Sequence, residues 1–571
     1  MMNGIGVSSG IGYAAALKYD LHMPEISRQQ ISDIPSELDR FWAAFQAVEK
    51  RLHALYAQSL EKTGKENAAI FEAHLMLLKD EDSVSIPITQ RISDERMSAA
   101  AATGQTFDEI HELITSVGDE LIAQRGSDIL DLKNQLLYAL LGIQKPDLSH
   151  LPKRVVLVAR DLTPSDTIGI DIEHVAGILC QSGGRTSHSA ILAKAMGIPA
   201  IVGCTGILDA VNDGDDILMD GQSGTVIVRP TQEDIDSYAQ VAQRLDAERQ
   251  TLEQFRGKQS LTADGVSVKL SANIASPEEC RLAVGHDCEG VGLFRSEFLY
   301  MDRSTLPSEE EQFEAYRNAL TYAQGREVTI RTLDVGGDKG LKSLTIHAEE
   351  NPFLGYRAIR ICLDRPALFQ TQLRALYRAS VFGKLRIMFP MIATLEELRA
   401  AKEAARQARE SLCRERIAFC EDVPLGIMIE VPSAAVSSDL LAKECDFFSI
   451  GTNDLTQYTM AVDRGNEKVS KLYSHYHPGV IRLIAMTIRN AAQQGIECCM
   501  CGEAAGDFRF IPLLLGLGLR NFSMSTVSIL KARQVISRSN CAEWQAHAQS
   551  VMRLGTAEEI IEFCNQTEEP A

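Results

Sequence analysis

No run of about 18 uninterrupted apolar residues occurs in the 571-residue chain, so the sequence predicts no membrane insertion. Nor does it open on a secretory signal, since MMNGIGVSSGIGYAAALKYD has neither a basic n-region nor a compact apolar core. Positive charge is scarce: 57 Lys and Arg stand against 77 Asp and Glu, a net charge of −20. A nucleic-acid binder needs a basic face, and this chain has no surplus from which to build one. A basic protein partner remains compatible with that balance. The 13 cysteines are odd in number and scattered. They read as reduced thiols of a cytoplasmic protein, not as a disulfide framework. Cys498, Cys499 and Cys501 lie close together, but no second cluster or histidine pair completes a zinc pattern. A nucleotide loop is missing as well: GIGVSSGIG lacks the lysine of a phosphate-binding loop and opens no long helix.

What is present divides into distinct textures. Residues 1–30 begin Gly-rich and strand-like. From Leu38, through Phe41, Phe45, Val48, Leu52 and Leu55, apolar residues recur at helical spacing, and 31–142 reads as an inserted domain of roughly four helices. From Arg154 the runs RVVLVA, VAGILC, IPAIVG, DDILMD and GTVIVRP are short, apolar and bounded by turn residues. They predict an α/β domain over 143–230, which the segment 1–30 returns to complete. Residues 231–260 are charged and helix-prone, with few large apolar residues, and read as an exposed helical linker. In 261–571 eight short apolar runs alternate with helix-like sequence, which predicts a (β/α)8 barrel. The expected fold class is therefore multidomain α/β.

Two constellations carry chemistry. In GGRTSHSAILAKAMGIPAIVG, His188 follows a Gly-rich turn at the front of a helix-like segment. Backbone N–H groups and nearby hydroxyls favour negative charge there, so a phosphoryl group could be accepted. In a (β/α)8 barrel, chemistry gathers at the C-terminal strand ends. Arg295 and Glu297 follow the second run, Arg331 and Asp334 close the third, and Glu430 ends the fifth. Asn453 and Asp454 follow the sixth, Cys501 and Glu503 end the seventh, and Arg464 lies a short loop beyond. Arginines, carboxylates and a thiol around one opening imply a small, strongly anionic substrate bound with Mg²⁺.

The motifs GGRTSHSAILAKAMGIPAIVG, GVGLFRSEFLYMDR, RTLDVGGDK, ENPFLGYRAIR, KLRIMFPMI, DFFSIGTNDLTQYTMAVDRGN, CGEAAGD and FSMS resemble, in order and over essentially the whole chain, enzyme I of the bacterial phosphoenolpyruvate:sugar phosphotransferase system. The resemblance implies an α/β phosphohistidine domain, a helical domain that binds the phosphocarrier HPr, a linker, and a phosphoenolpyruvate-binding barrel that forms a homodimer. It implies that His188 takes the phosphoryl group of phosphoenolpyruvate and passes it to a histidine of HPr or an HPr-like domain. Arg295 and Arg331 match the arginines on the substrate phosphate, Glu430 and Asp454 the Mg²⁺ ligands, and Asn453 and Arg464 further substrate contacts. Cys501 matches the cysteine that protonates the enolate, and Thr167 a threonine that hydrogen-bonds the active histidine. The HPr surface is matched by ENAAIFEAHLMLLKDED, with Glu66, Asp80, Glu81 and Asp82 as its acidic residues. With no sensory or carrier domain fused, a stand-alone enzyme is expected.

Overall fold

The computed structural model describes the chain apart from residues 9, 21–29, 63–64, 116–119, 144–147, 149–150, 164–165, 167–169, 185–186, 188, 191–192, 194–195, 302, 304, 337–343, 345–348, 465, 467 and 568–571. Its contacts divide it into two units, Met1–Ala247 and Glu248–Ala571.

The first unit is built on one sheet of β1 (Met2–Asn3), β2 (Ile5–Ser8), β3 (Ile11–Tyr19), β4 (Val155–Ala159), β5 (Val175–Cys180), β6 (Ala200–Val202), β7 (Asp216–Asp220) and β8 (Thr225–Val228), ordered β1-β8-β7-β3-β4-β5-β6-β2. β3 runs parallel to β4 with Ala15 opposite Val155, so the N-terminal segment is hydrogen-bonded into a sheet whose other strands follow residue 155. β4 and β5 are buried along their whole length. Runs such as VVLVA have no polar face to spare and suit central strands covered on both sides. The period of two sends Leu157 and Ile178 into one core, and Val156, Val158 and Leu179 into another. Gly177 is required by a close approach: an added Cβ would lie 2.3 Å from the Met219 sulfur.

Between β3 and β4 the chain makes four long helices, α1 (Ile34–Lys62), α2 (Lys65–Leu78), α4 (Ala99–Thr115) and α5 (Glu120–Leu141), and one short one, α3 (Ile86–Asp94). They enclose a core that includes Phe41, Leu52, Phe71, Ile88, Phe107 and Leu136. α3 is separate from α2 because a π-helical turn, Glu81–Ser85, intervenes and Pro87 occupies the first turn that follows. Helix α6 (Gln232–Glu253) contains the division between the units. Past its end, the buried Arg533 guanidinium donates to the Phe255 carbonyl at 2.9 Å and the Ser260 hydroxyl at 3.0 Å and pairs with Asp287. Residues 255–260 are thereby fastened to the second unit.

That unit is a closed parallel barrel of β9 (Lys269–Ile274), β10 (Gly290–Arg295), β11 (Glu327–Arg331), β12 (Lys384–Phe389), β13 (Leu425–Ile429), β14 (Phe447–Ile450), β15 (Glu497–Met500) and β16 (Asn521–Met524), with β16 pairing back to β9. The eight apolar runs read from the sequence are these eight strands. Capping boxes start two of the intervening helices, Ser308 with Glu311 and Thr394 with Glu397. Leu293, Met388, Met428, Phe447 and Cys501 form one apolar cluster. Near the N-terminal strand ends, the Arg386 guanidinium lies 3.7 Å from the Phe447 ring centroid, pairs with Glu327 at 2.8 Å and also with Glu497. Lys269 joins Glu327 at 2.7 Å. Arg386→Leu therefore leaves Glu327 and Glu497 short of a partner; it is expected to cost about 3 kcal/mol and lower the thermal midpoint by about 6 °C. Calorimetry showing an unchanged midpoint would remove Arg386 as a closure element.

Candidate active site at the barrel mouth

Seven residues singled out from the sequence, Arg295, Arg331, Glu430, Asn453, Asp454, Arg464 and Cys501, line one cavity of about 290 Å³. The fold gathers them because parallel strands of a barrel all end on the same face. Arg331 closes β11 and is almost fully buried. Its Nη2 donates to Glu297 Oε1 at 2.6 Å and its Nη1 pairs with Asp334 Oδ2 at 2.9 Å. Nη1 also meets the Met428 sulfur at 3.6 Å. Burial opposes the guanidinium charge, but Asp334 and Glu297 outweigh it, so the cation is locked in place. Arg295, at the end of β10, is half-buried, and among the described residues no carboxylate pairs with it. It is a guanidinium free to meet an anion.

Sequence reasoning left Arg357 out of the site, although it lies in the quoted run ENPFLGYRAIR. Its Nη2 bridges Asp334 Oδ1 at 3.1 Å and Asp454 Oδ2 at 3.3 Å, and its Nη1 donates to the Tyr458 hydroxyl at 2.9 Å. The strand-end rule misses it because it stands 26 positions past Arg331 along the chain. The available signal was the glycine of RTLDVGG. Gly336 has φ +104°, and an added Cβ would lie 2.5 Å from the Arg357 Cβ. A glycine there allows the Arg357 backbone to come in close. The next residue, Ala358, holds φ 51°, strain of the kind that functional loops retain.

Glu430 and Asp454 form the acidic part of the cavity. Glu430 is fully buried; its Oε1 accepts the Met391 N–H at 2.6 Å. Burial, then the charges of Asp454 and Asp334, push its carboxyl up to about 8. An added Cβ on Gly451 would lie 3.0 Å from Glu430 Oε2, so a glycine keeps that side of the carboxylate open. Asp454 Oδ1 is buried without a hydrogen-bond partner. Two buried carboxylates, one with an unsatisfied oxygen, fit a hard divalent cation such as Mg²⁺. That ion takes one or two protein carboxylates and fills its shell with substrate oxygens and water. Among the described residues no group of three His, Cys, Asp or Glu side chains converges as a metal cage.

The raised Glu430 value carries a prediction with a definite sign. The folded state holds this proton more tightly than the unfolded chain, whose ordinary value is 4.5. The associated stability is complete below pH 4.5 and is lost as pH rises through about 8. In chelator the thermal midpoint is expected to fall by about 5 °C between neutral and alkaline pH, and Mg²⁺ is expected to recover the loss chiefly on the alkaline side. A midpoint with no Mg²⁺ response at alkaline pH would contradict the assignment.

Cys501 is buried, with its backbone N–H on the Ile450 carbonyl at 3.1 Å and its carbonyl taking the Asn273 amide at 2.9 Å. Burial pushes its thiol up, and Arg331 and Arg295 only partly pull it back. It stays protonated at neutral pH and can serve as an acid. Asn453 and Glu503 clasp each other, with the Asn453 amide nitrogen on Glu503 Oε1 at 3.1 Å and the Glu503 N–H on Asn453 Oδ1 at 2.9 Å. This fixes the loop edge beside Cys501. Arg464 is exposed at the rim.

In the first unit, His188 and Thr167 lie outside the described residues. Beside His188, Ser187 Oγ accepts the Ala190 N–H at 3.4 Å, as an N-cap hydroxyl does. The side chain of Glu66, on α2, is also outside the described set. Asp80, Glu81 and Asp82 are exposed; Asp80 is engaged as a cap, accepting the Ser83 N–H at 3.1 Å. No helix among the described residues is long and apolar enough to cross a membrane.

Comparisons with known proteins cover both units. Three models of the PEP-utilising enzymes match: the N-terminal domain over 3–125, the mobile domain over 151–224 and the PEP-binding domain over 249–541. The phosphoenolpyruvate-protein phosphotransferase of Staphylococcus carnosus (strain TM300) is 43% identical over 563 residues, covering 98% of each chain. That of Geobacillus stearothermophilus is 44% identical over 568 residues, 99% of this chain and 98% of the relative. With matches running end to end at this identity, the chain belongs to the phosphoenolpyruvate-protein phosphotransferase family.

Proposed function

We propose that this protein is a phosphoenolpyruvate-dependent phosphotransferase that phosphorylates its own His188 and passes the group to a histidine of HPr or an HPr-like carrier. The observation that carries the reading is the single cavity bringing together Arg295, Arg331, Glu430, Asp454 and Cys501. Arg295 and Arg331 hold the substrate phosphate, with Arg357 completing the cationic wall; Asn453 and Arg464 contact the rest of the molecule. Glu430 and Asp454 would hold Mg²⁺, which when bound supplies charge neutralisation at the phosphate and enolate oxygens.

His188 attacks phosphorus through an unprotonated ring nitrogen. The P–O bond to the enolate breaks, and the guanidinium groups stabilise charge spread over the transferring oxygens. Cys501 gives its proton to the methylene carbon and pyruvate leaves. Thr167 orients the histidine, and α6 lets the phosphohistidine move between donor and acceptor. Carrier recognition belongs to the helical region. Exposed Trp42, Met76 and Leu113 offer apolar contact, and Asp80, Glu81 and Asp82, with Glu66, steer a basic partner. A homodimer through 261–571 completes the reading, with exposed Leu354, Val436, Leu440 and Leu472 as apolar surface for it to cover.

The test is transfer. Phosphoenzyme made from labelled phosphoenolpyruvate and Mg²⁺, then freed of substrate, is mixed with purified HPr. Label moving to the carrier supports the reading; label that forms yet moves to no HPr or HPr-like domain overturns its second half.

A further inference from the structure

Cys501, Arg295 and Glu503 also line a second, larger cavity of about 700 Å³, whose wall includes Asn273, Glu279, His475 and Asp507. The phosphoryl-transfer scheme uses none of these last four. Within that wall His475 is held in a built arrangement. Its Nε2 lies 3.2 Å from Asp507 Oδ2, and the same oxygen accepts the Tyr476 hydroxyl at 2.8 Å. The imidazole packs against Tyr476 and Phe510, with ring centroids at 4.6 and 5.1 Å. The Arg509 N–H donates to the other Asp507 oxygen at 3.1 Å. Burial opposes the Asp507 charge, but the His475 and Tyr476 hydrogen bonds outweigh it and hold the carboxyl down to about 2.

A thiol that protonates an enolate is a thiolate afterwards and must regain a proton before the next substrate. The geometry points to His475, positioned by Asp507, as the group that returns this proton to Cys501 across the second cavity. The inference rests on reading Cys501 as the acid toward the enolate. The proton balance closes. In the first step the S–H bond of Cys501 breaks as the C–H bond of the pyruvate methyl forms. Next the imidazolium N–H of His475 breaks as S–H re-forms, directly or through water in the cavity. His475 then takes a proton from solvent, and no electrons change hands. His475 touches no substrate atom and acts only through Cys501. The charged and titratable groups facing it are Asp507 and Tyr476, with Arg509 beyond the carboxylate and Glu279, Arg295, Glu503 and Cys501 across the cavity.

A positioned imidazole gives the thiolate a fixed proton donor within the same cavity.

The test compares two rates in D₂O on full-length enzyme with Mg²⁺, without any carrier: exchange of carbon label between pyruvate and phosphoenolpyruvate, and deuterium wash-in at the pyruvate methyl, each above an enzyme-free control. Carbon exchange can recycle the same proton; wash-in needs that proton to reach solvent. In His475→Gln, carbon exchange is expected to stay within about twofold of wild type, while wash-in per carbon exchanged falls about tenfold. Added imidazole is expected to restore it. Unchanged wash-in overturns the relay, as does loss of both rates together, which is the mark of a structural role. Cys501→Ser serves as the separate control: if it keeps wild-type wash-in, the reading of Cys501 itself has failed.

Discussion

Arg331→Met lowers kcat/KM for phosphoenolpyruvate by about 10³-fold, roughly 4 kcal/mol of transition-state stabilisation. The size follows from the position. Arg331 ends β11 with its guanidinium already fixed by Glu297 at 2.6 Å and Asp334 at 2.9 Å, so it meets developing charge on the phosphoryl oxygens without reorganising. Those same partners complicate the variant. Removing the cation leaves Glu297 and Asp334 crowded in a buried site, which itself costs about 3–5 kcal/mol of stability. Arg331→Lys separates the two effects. It keeps a charge for the carboxylates but loses the planar fork, so the thermal midpoint is expected to recover most of its loss while kcat/KM stays about 10²-fold down. Steady-state kinetics beside calorimetry checks both. If Arg331→Lys restores activity in step with stability, Arg331 is a structural residue.

Cys501→Ser lowers kcat for pyruvate formation by about 10²-fold or more and leaves KM for phosphoenolpyruvate nearly unchanged. A serine hydroxyl occupies the same place but is a far weaker acid than a thiol, even one pushed up by burial. Binding is spared because the phosphate is held by the arginines. Deuterium wash-in at the pyruvate methyl is expected to disappear with kcat. A rise in KM at constant kcat would make Cys501 a wall of the cavity and no acid.

The barrel was legible because each strand is a short apolar run between turn residues, and because parallel strands need both faces buried. GVGLF, LGIMIEV and FFSIG carry no polar alternation to confuse the period. The chemistry at the strand ends was legible for the same geometric reason: Arg331, Glu430 and Cys501 directly end or follow strands. Arg357 escaped because its place in the cavity depends on a loop returning from far along the chain, held by Gly336 and the strained Ala358. The second cavity escaped as well, since His475 and Asp507 meet only through folding, 32 positions apart. Pairing states were invisible for a related reason. No spacing rule says that Asp334 joins two arginines or that Asn453 and Glu503 clasp each other. The short α3 was hidden because it is only nine residues long and follows a π-helical turn, Glu81–Ser85, that is out of step with the 3.6-residue period.

The measurement closest to the central claim is phosphoryl labelling from phosphoenolpyruvate, with Mg²⁺ or with chelator, on the wild type beside His188→Ala, followed by mapping of the labelled peptide. The account predicts acid-labile label on the wild type alone, only with Mg²⁺, and on the peptide that carries His188. Label of equal extent on His188→Ala, or none on the wild type with Mg²⁺ present, would contradict it.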